Sequence, residues 1–320
     1  MPLLDARLAD WLVKYNRYAQ RERIAGLTLQ PLDVREGLAK LTAGLVTDIP
    51  DFPHITDTRV TGADTSVPVR IYDPAPDRCK PVCIYVHGGG HVAGSIDVYD
   101  PICRKLALTS GNLVVSVEYR LAPEYPYPAG LNDCLLVVDH IRKVLDQHHF
   151  NYADAQLAIA GDSGGGALAA SVSALLQHRN KQPLTHQILI YPGLDYTLGF
   201  PSIQTLAEGY LLERDQIEWY YDQYFQQNEN RLLASPLFMQ VTDKLPSTLI
   251  ITAGFCPLHD EARAFLAKLN NAGVPCVHQH YPGMLHAYLN MEDLVPDCCL
   301  DTYQVISRFL GSGSATEKYF

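Results

Sequence analysis

A single serine at position 163 carries the strongest chemical signal in the sequence. It lies in the segment GDSGG, residues 161–165, which follows an apolar run and precedes a run of small residues. A strand, a sharp turn and a helix in that order present a serine hydroxyl as a nucleophile. Glycines tolerate the close contacts of such a turn, and the first amides of the helix stabilise developing negative charge. The pattern predicts that Ser163 is the nucleophile of an acyl-transfer enzyme.

A second glycine-rich segment, HGGG at residues 87–90, follows the apolar run 82–86. Consecutive glycines let a backbone turn its N–H groups toward a ligand, and this motif is the oxyanion-loop partner of a serine elbow. We expect Gly88, Gly89 and Gly164 to donate N–H groups to the oxyanion of a tetrahedral intermediate. His87 is expected to brace the loop and not to act as the base.

The general base must lie late in the chain, because enzymes with this serine turn run serine, then acid, then histidine. The late histidines are His259, His278, His280 and His286. His278 and His280 fall inside a strand pattern, whereas His286 follows a strand end, where loops hold catalytic groups. We predict His286 as the base. A metal site made of His278, His280 and His286 is an alternative that we do not favour, because it lacks a carboxylate cluster. Catalysis by a serine nucleophile needs no metal and no cofactor, so none is expected.

The elements that must position these residues alternate between short apolar runs and helical patterns. Two N-terminal helical stretches, 4–23 and 32–45, precede a hairpin signal at 57–73. Strands are predicted at 82–86, 113–119, 156–160, 187–191, 248–253 and 274–281, and helices at 97–110, 130–147, 164–178, 260–272 and 295–310. This alternation predicts an α/β fold with a mostly parallel eight-stranded sheet and helices on both faces.

One segment, residues 195–235, interrupts the alternation. It shows no strand pattern and is crowded with aromatic side chains between 210 and 225. A helical insertion of this kind forms a cap over the strand ends where ligands bind, or else contributes core-facing aromatics of ordinary helices. Both interpretations are open on this pattern alone.

Composition narrows the class of protein. Of 320 residues, 47% are hydrophobic and 19% charged, a globular balance that excludes a disordered chain. The net charge of −10 argues against nucleic acid as a partner. The eight cysteines form no CxxC pair and are typical of reduced thiols, so we expect a cytoplasmic protein. No signal peptide or membrane span is expected either.

These motifs together resemble the hormone-sensitive-lipase-like branch of the α/β-hydrolase fold, which includes bacterial acetyl esterases. The oxyanion segment HGGGHVAGS (87–95), the segment EYRLAPEYPYPA (118–129) and GDSGGG (161–166) are similar to the signatures of that branch. The resemblance covers residues 55 to 310. It implies one α/β-hydrolase domain over 1–320, with a cap formed by 1–50 and 195–235, and it implies that a homodimer can form.

The sequence departs from the family at the catalytic acid. The family has D-P-L-x-D-E there, whereas residues 256–261 read CPLHDE, so Cys256 replaces the aspartate. A thiol does not fix an imidazole tautomer or stabilise an imidazolium as a carboxylate does. Three interpretations stay open: Asp260 reaches His286, Cys256 leaves a serine–histidine dyad, or the enzyme is impaired. We favour Asp260 as the acid, although it would also cap the helix 261–271.

The expected function is hydrolysis of short-chain carboxylic esters through a serine acyl-enzyme, with a small-molecule ester as substrate. The short acyl chain is implied by the resemblance. Two alternatives are an amidase or peptidase that uses the same site, and a non-catalytic small-molecule-binding protein on this fold. Loss of the family aspartate motivates the second alternative, and the presence of both Ser163 and His286 argues against it.

Overall fold

The hairpin and the six apolar runs form one sheet in the computed structural model, which describes residues 3–24, 28–179 and 184–311. The strands are β1 (His54–Thr61), β2 (Ser66–Asp73), β3 (Lys80–Val86), β4 (Leu113–Val117), β5 (Tyr152–Asp162), β6 (His186–Ile190), β7 (Ser247–Phe255) and β8 (Cys276–Leu285). Their spatial order is β1-β2-β4-β3-β5-β6-β7-β8. Strand β2 pairs antiparallel with both β1 and β4, and every other pairing is parallel. The predicted eight-stranded, mostly parallel sheet is confirmed.

Helices follow most of the strands. They are α1 (Ala6–Ile24), α2 (Pro31–Leu45), α3 (Ile96–Ser110), α4 (Ala129–Gln147), α5 (Ser163–Leu176), α6 (Pro201–Thr205), α7 (Arg214–Tyr224), α8 (Arg231–Ala234), α9 (His259–Asn271) and α10 (Pro296–Gly311). Short 3₁₀ segments span Pro236–Phe238 and Tyr288–Leu294. Within the described chain, no helix combines the length and the apolar character needed to cross a membrane.

The sheet is covered on both faces because its central strands are apolar on both sides. In β3, Tyr85 and its alternate neighbours belong to a core shared with α3 and α10, whereas Ile84 and its alternate neighbours belong to a second core shared with α4, α5 and α9. Side chains that alternate along a strand face opposite sides of the sheet. Continuous apolar runs such as 82–86 are the expected result for a strand buried on both faces.

The N-terminal helices pack near the loop that follows β3. Arg35 of α2 donates to the carbonyl oxygens of Val92 at 2.8 Å and Ala122 at 3.0 Å, and it forms an ion pair with Glu124 at 2.6 Å. Helix α1 reaches the 195–235 segment, since Asn16 Nδ2 donates to the Gly209 carbonyl oxygen at 3.0 Å. These bonds hold α1 and α2 beside the oxyanion loop and the insertion.

Candidate active site

Ser163 lies at the junction of β5 and α5 in a backbone conformation that non-glycine residues rarely adopt. Its φ is +52°, in the left-handed region, and the chain passes directly from strand into helix there. This conformation is the strained turn that projects a nucleophilic hydroxyl from the end of a sheet. Ser163 stays partly exposed, while the residues on either side of it are buried.

The glycines around Ser163 are required by close backbone contacts. A Cβ atom on Gly161 would lie 2.4 Å from the Gly165 carbonyl oxygen, and one on Gly165 would lie 2.1 Å from the Val86 carbonyl oxygen. Neither distance is compatible with a side chain. The glycines of the GDSGG pattern are therefore needed because the turn packs closely on itself and on the end of β3.

His286 is placed by β8, which ends at Leu285, and it faces Ser163. The His286 Nε2 atom lies 2.8 Å from Ser163 Oγ, a distance at which the hydroxyl donates to the ring nitrogen. The ring packs edge-on against Tyr191, with the centroids 4.9 Å apart. The geometry thus brings the predicted nucleophile and the predicted base together.

The other nitrogen of His286 faces a thiol. His286 Nδ1 lies 3.0 Å from Cys256 Sγ, and Cys256 is fully buried just after β7. For Ser163 to donate to Nε2, the neutral ring must carry its hydrogen on Nδ1, so that N–H points at the sulfur. Sulfur is a weak acceptor, and a thiol that instead donated to Nδ1 would favour the wrong tautomer.

The Cys256–His286 pair is uncharged in the resting site. Burial raises the pKa of the Cys256 thiol well above its ordinary value. Burial also lowers the pKa of His286 to about 3. An imidazolium formed during turnover would therefore have no anionic partner at Nδ1. In triads that keep their geometry, neutralising the acid lowers turnover by about 10⁴.

Asp260 does not reach His286, and this corrects the sequence prediction. Its carboxylate accepts from the Ser202 N–H at 3.0 Å and lies 3.1 Å from His259 Nε2. Helix α9 begins at His259, so Asp260 lies in its first turn and points toward the start of α6. Nor is it the N-cap, a position that Leu258 occupies.

The oxyanion loop also differs from the expectation at one glycine. The Gly88 N–H donates to Asp162 Oδ1 at 2.8 Å, so this amide is not available to an oxyanion. Gly89 and Gly90 have φ values of +115° and +61°. A Cβ atom on Gly164 would lie 3.2 Å from the Gly90 nitrogen, which places that amide beside the serine turn. The sequence prediction did not include Gly90, the third glycine of the motif, although the run of three was visible in the sequence.

The remaining histidines lie elsewhere. His87 is buried between the rings of Tyr119 and Tyr99, with its Nδ1 2.8 Å from the Gly88 carbonyl oxygen, as expected for a brace. His278 and His280 both contact the hydroxyl of Thr252, at 2.8 and 2.9 Å. Both histidines lie within β8, as the strand pattern predicted.

Comparisons with known proteins agree with this fold. A family model described as an alpha/beta hydrolase fold matches residues 83–290. The chain is 34% identical over 299 residues to ethyl acetate hydrolase of Pseudomonas putida, covering 89% of this chain and 93% of that protein. It is also 34% identical over 248 residues to carboxylesterase NlhH of Mycobacterium tuberculosis, covering 75% and 77%. A solved esterase of Pyrobaculum calidifontis superposes with a TM-score of 0.84 at 30% identity, covering 97% and 98%.

The chain therefore belongs to the alpha/beta-hydrolase-fold family, in its hormone-sensitive-lipase-like branch of carboxylesterases. It is a serine carboxylesterase, a hydrolase of carboxylic esters whose substrates are small molecules. This result favours ester hydrolysis over the alternatives of an amidase and of a non-catalytic binding protein.

Proposed function

We propose that Ser163 and His286 hydrolyse short-chain acyl esters through an acyl-enzyme, with Cys256 orienting His286. The observation that supports this assignment best is the 2.8 Å contact between Ser163 Oγ and His286 Nε2, at a serine with φ +52°. A nucleophile in hydrogen-bond reach of a base that is itself held by a third group is the arrangement of covalent hydrolases.

Each step is assigned to atoms that the geometry places together. His286 Nε2 accepts the Ser163 proton as Oγ attacks the ester carbonyl carbon, and the carbonyl oxygen becomes the oxyanion. The same nitrogen then protonates the departing alcohol, which leaves the acyl group on Oγ. Water repeats the sequence and releases the acid, and His286 returns the proton to Ser163.

The oxyanion is proposed to bind the amides of Gly89, Gly90 and Gly164. Gly164 is the second residue of α5, where a helical N–H has no intrahelical acceptor. Gly90 lies beside it, and the N–H of Gly88 is already engaged. Each such donor is worth about 10²–10³ in turnover.

We further propose that residues 1–320 form one domain, in which 1–50 and 195–235 cap the site. The Tyr220 ring of α7 packs on Gly90, since a Cβ atom there would lie 2.5 Å from the ring. The bond from Asn16 to Gly209 joins the two parts of the cap. A bulky aromatic ring directly over the oxyanion loop limits the space for an acyl chain, which supports a preference for short esters.

The proposed location is the cytoplasm. All eight cysteines are free thiols, the state that reducing compartments maintain. A homodimer stays a prediction from the family resemblance.

The test is turnover of p-nitrophenyl esters of two, eight and sixteen carbons by the wild type and by Ser163→Ala. We expect the highest kcat/KM on acetate, and no turnover above background in the variant. Equal rates in the two proteins would overturn the assignment of Ser163. A higher kcat/KM on the sixteen-carbon ester would overturn the short-chain preference alone.

A further inference from the structure

The Asp162 side chain connects the serine turn to the oxyanion loop. Its Oδ1 accepts from the Gly88 N–H at 2.8 Å and from the Tyr85 hydroxyl at 2.9 Å, and its Oδ2 accepts from the Tyr99 hydroxyl at 2.9 Å. The carboxylate is buried, with an exposed fraction of 1%. It belongs to the residue directly before Ser163, and its three donors come from β3, from α3 and from the loop itself.

The packing around this carboxylate leaves no room for adjustment. A Cβ atom on Gly88 would lie 2.4 Å from Asp162 Oδ2 and 2.9 Å from the Tyr99 hydroxyl oxygen. The loop therefore lies directly on the carboxylate. Since Gly89 and Gly90 follow at once with positive φ, the position of Gly88 sets where their amides point.

The carboxylate is held by neutral donors. The titratable groups that face it are Tyr85 of β3, Tyr99 and Cys103 of α3, Tyr119 after β4 and Tyr191 after β6. Burial raises the pKa of each, so all are uncharged near pH 7. His87 of the loop is also neutral, because burial lowers its pKa to about 4.

We propose that Asp162 is a positioning residue, whose ionised carboxylate holds the oxyanion loop in its catalytic shape against the serine turn. This inference rests on the proposed function, because it assigns the loop amides to the oxyanion. Hydrogen bonds to an ionised acceptor are stronger than those to a neutral one. Protonation would weaken all three bonds, and the Gly88 N–H cannot rotate to find another acceptor.

The proposal predicts that turnover depends on pH and that it falls at low pH. Burial raises the pKa of Asp162 to about 6. Turnover should therefore fall as the pH drops through about 6, when the carboxyl takes up a proton. His286 does not explain such a fall, because burial lowers its pKa to about 3.

The experiment compares the pH profile of kcat for p-nitrophenyl acetate in the wild type, Tyr99→Phe and Tyr72→Phe. The acid limb of the profile is the fall in kcat at low pH. Tyr99→Phe removes one donor to the ionised carboxylate, so the midpoint of this limb should move to a pH that is higher by about one unit. Tyr72→Phe is the matched control: its hydroxyl donates to Asp100 at 2.9 Å, a different carboxylate, and its acid limb should stay at the wild-type pH. Asp162→Asn should lower kcat by about 10²-fold with little change in KM and should lose the limb near pH 6.

Two outcomes overturn the inference. In the first, kcat of Tyr99→Phe falls at the same low pH as kcat of the wild type. In the second, Asp162→Asn is folded and its kcat still falls near pH 6 as in the wild type. The tyrosine variants decide the question if Asp162→Asn does not fold. Ser163→Ala separates this inference from the proposed function. If Ser163→Ala is inactive while the acid limbs of Tyr99→Phe and Asp162→Asn coincide with that of the wild type, the proposed function stands and the role of Asp162 fails.

Discussion

Replacing Cys256 by aspartate changes the group that His286 Nδ1 contacts in the site. The Nδ1–Sγ distance of 3.0 Å shows that a side chain at 256 already reaches the ring. The N–H of Leu258 also hydrogen-bonds the sulfur and lowers the pKa of the thiol, although less than burial raises it. That N–H is placed to bind a carboxylate at the same position.

The expected gain follows from the charge that forms during turnover. A carboxylate fixes the Nδ1–H tautomer and stabilises the imidazolium, and its loss in established triads costs about 10⁴ in turnover, or about 5 kcal/mol. We expect Cys256→Asp to raise kcat by about 10²- to 10⁴-fold. The lower bound reflects the short spacing, because a carboxylate extends further from Cβ than a thiol and the ring must adjust.

The assay is kcat for p-nitrophenyl acetate, with active sites counted by the acylation burst. Cys256→Ser and Cys256→Ala serve as matched controls, and both should stay at or below the wild-type rate because neither supplies a negative charge. A thermal melt should show a lower midpoint for Cys256→Asp, since a buried carboxylate loses its hydration. The aspartate should also raise the pKa of His286 through its charge.

A single result would refute this reasoning. If Cys256→Asp is folded, binds a fluorophosphonate probe, and turns over no faster than the wild type, the missing carboxylate is not what limits the enzyme. The thiol would then orient His286 as well as an acid does.

Two further predictions concern buried or misassigned acids. Asp260→Asn should leave kcat within about twofold of the wild type, measured on p-nitrophenyl acetate, because the carboxylate contacts Ser202 and His259 and not His286; a loss of 10³-fold or more would restore Asp260 as the acid. Burial raises the pKa of Glu261 well above its ordinary value, so this group favours the folded state at low pH and loses that contribution as the pH rises above about 4.5. Urea unfolding at pH 5 and pH 8 should therefore show Glu261→Gln gaining stability relative to the wild type at the higher pH, and an unchanged difference would contradict the buried-acid argument.

Most of the architecture was predictable because it depends on local pattern. The run 82–86 is apolar at every residue and the run 248–253 at four of its six residues, and they became the buried strands β3 and β7. The hairpin followed from alternation, with β1 and β2 paired as expected. Strand ends shifted by a few residues, most of all in β5, which begins at Tyr152 where the apolar pattern begins at 156, and in β8, which ends at Leu285 where the pattern ends at 281.

The site was predictable where a motif has only one geometry. The GDSGG turn packs so closely on the end of β3 that only glycine fits at Gly165. The glycines therefore mark the turn in the sequence, and Ser163 could be predicted as the nucleophile from the sequence alone. His286 followed from chain order and from its place beyond a strand end. The acid did not follow, because Asp260 and Cys256 are four residues apart and both could approach His286 from the start of a helix.

The sequence by itself determined the fold class and pointed to the proposed nucleophile and base, because strand periodicity, tight glycine turns and chain order are readable without the tertiary structure. Only the tertiary structure decided which group meets His286 Nδ1, since the start of α9 turns Asp260 toward Ser202 and leaves the thiol of Cys256 against the ring. It also decided that the Gly88 amide binds Asp162, a contact between residues 74 positions apart that no local pattern encodes. In both cases a side chain from one element meets a group from another element. Where that side chain points depends on how the strands and helices pack together, and a local sequence pattern does not determine that packing.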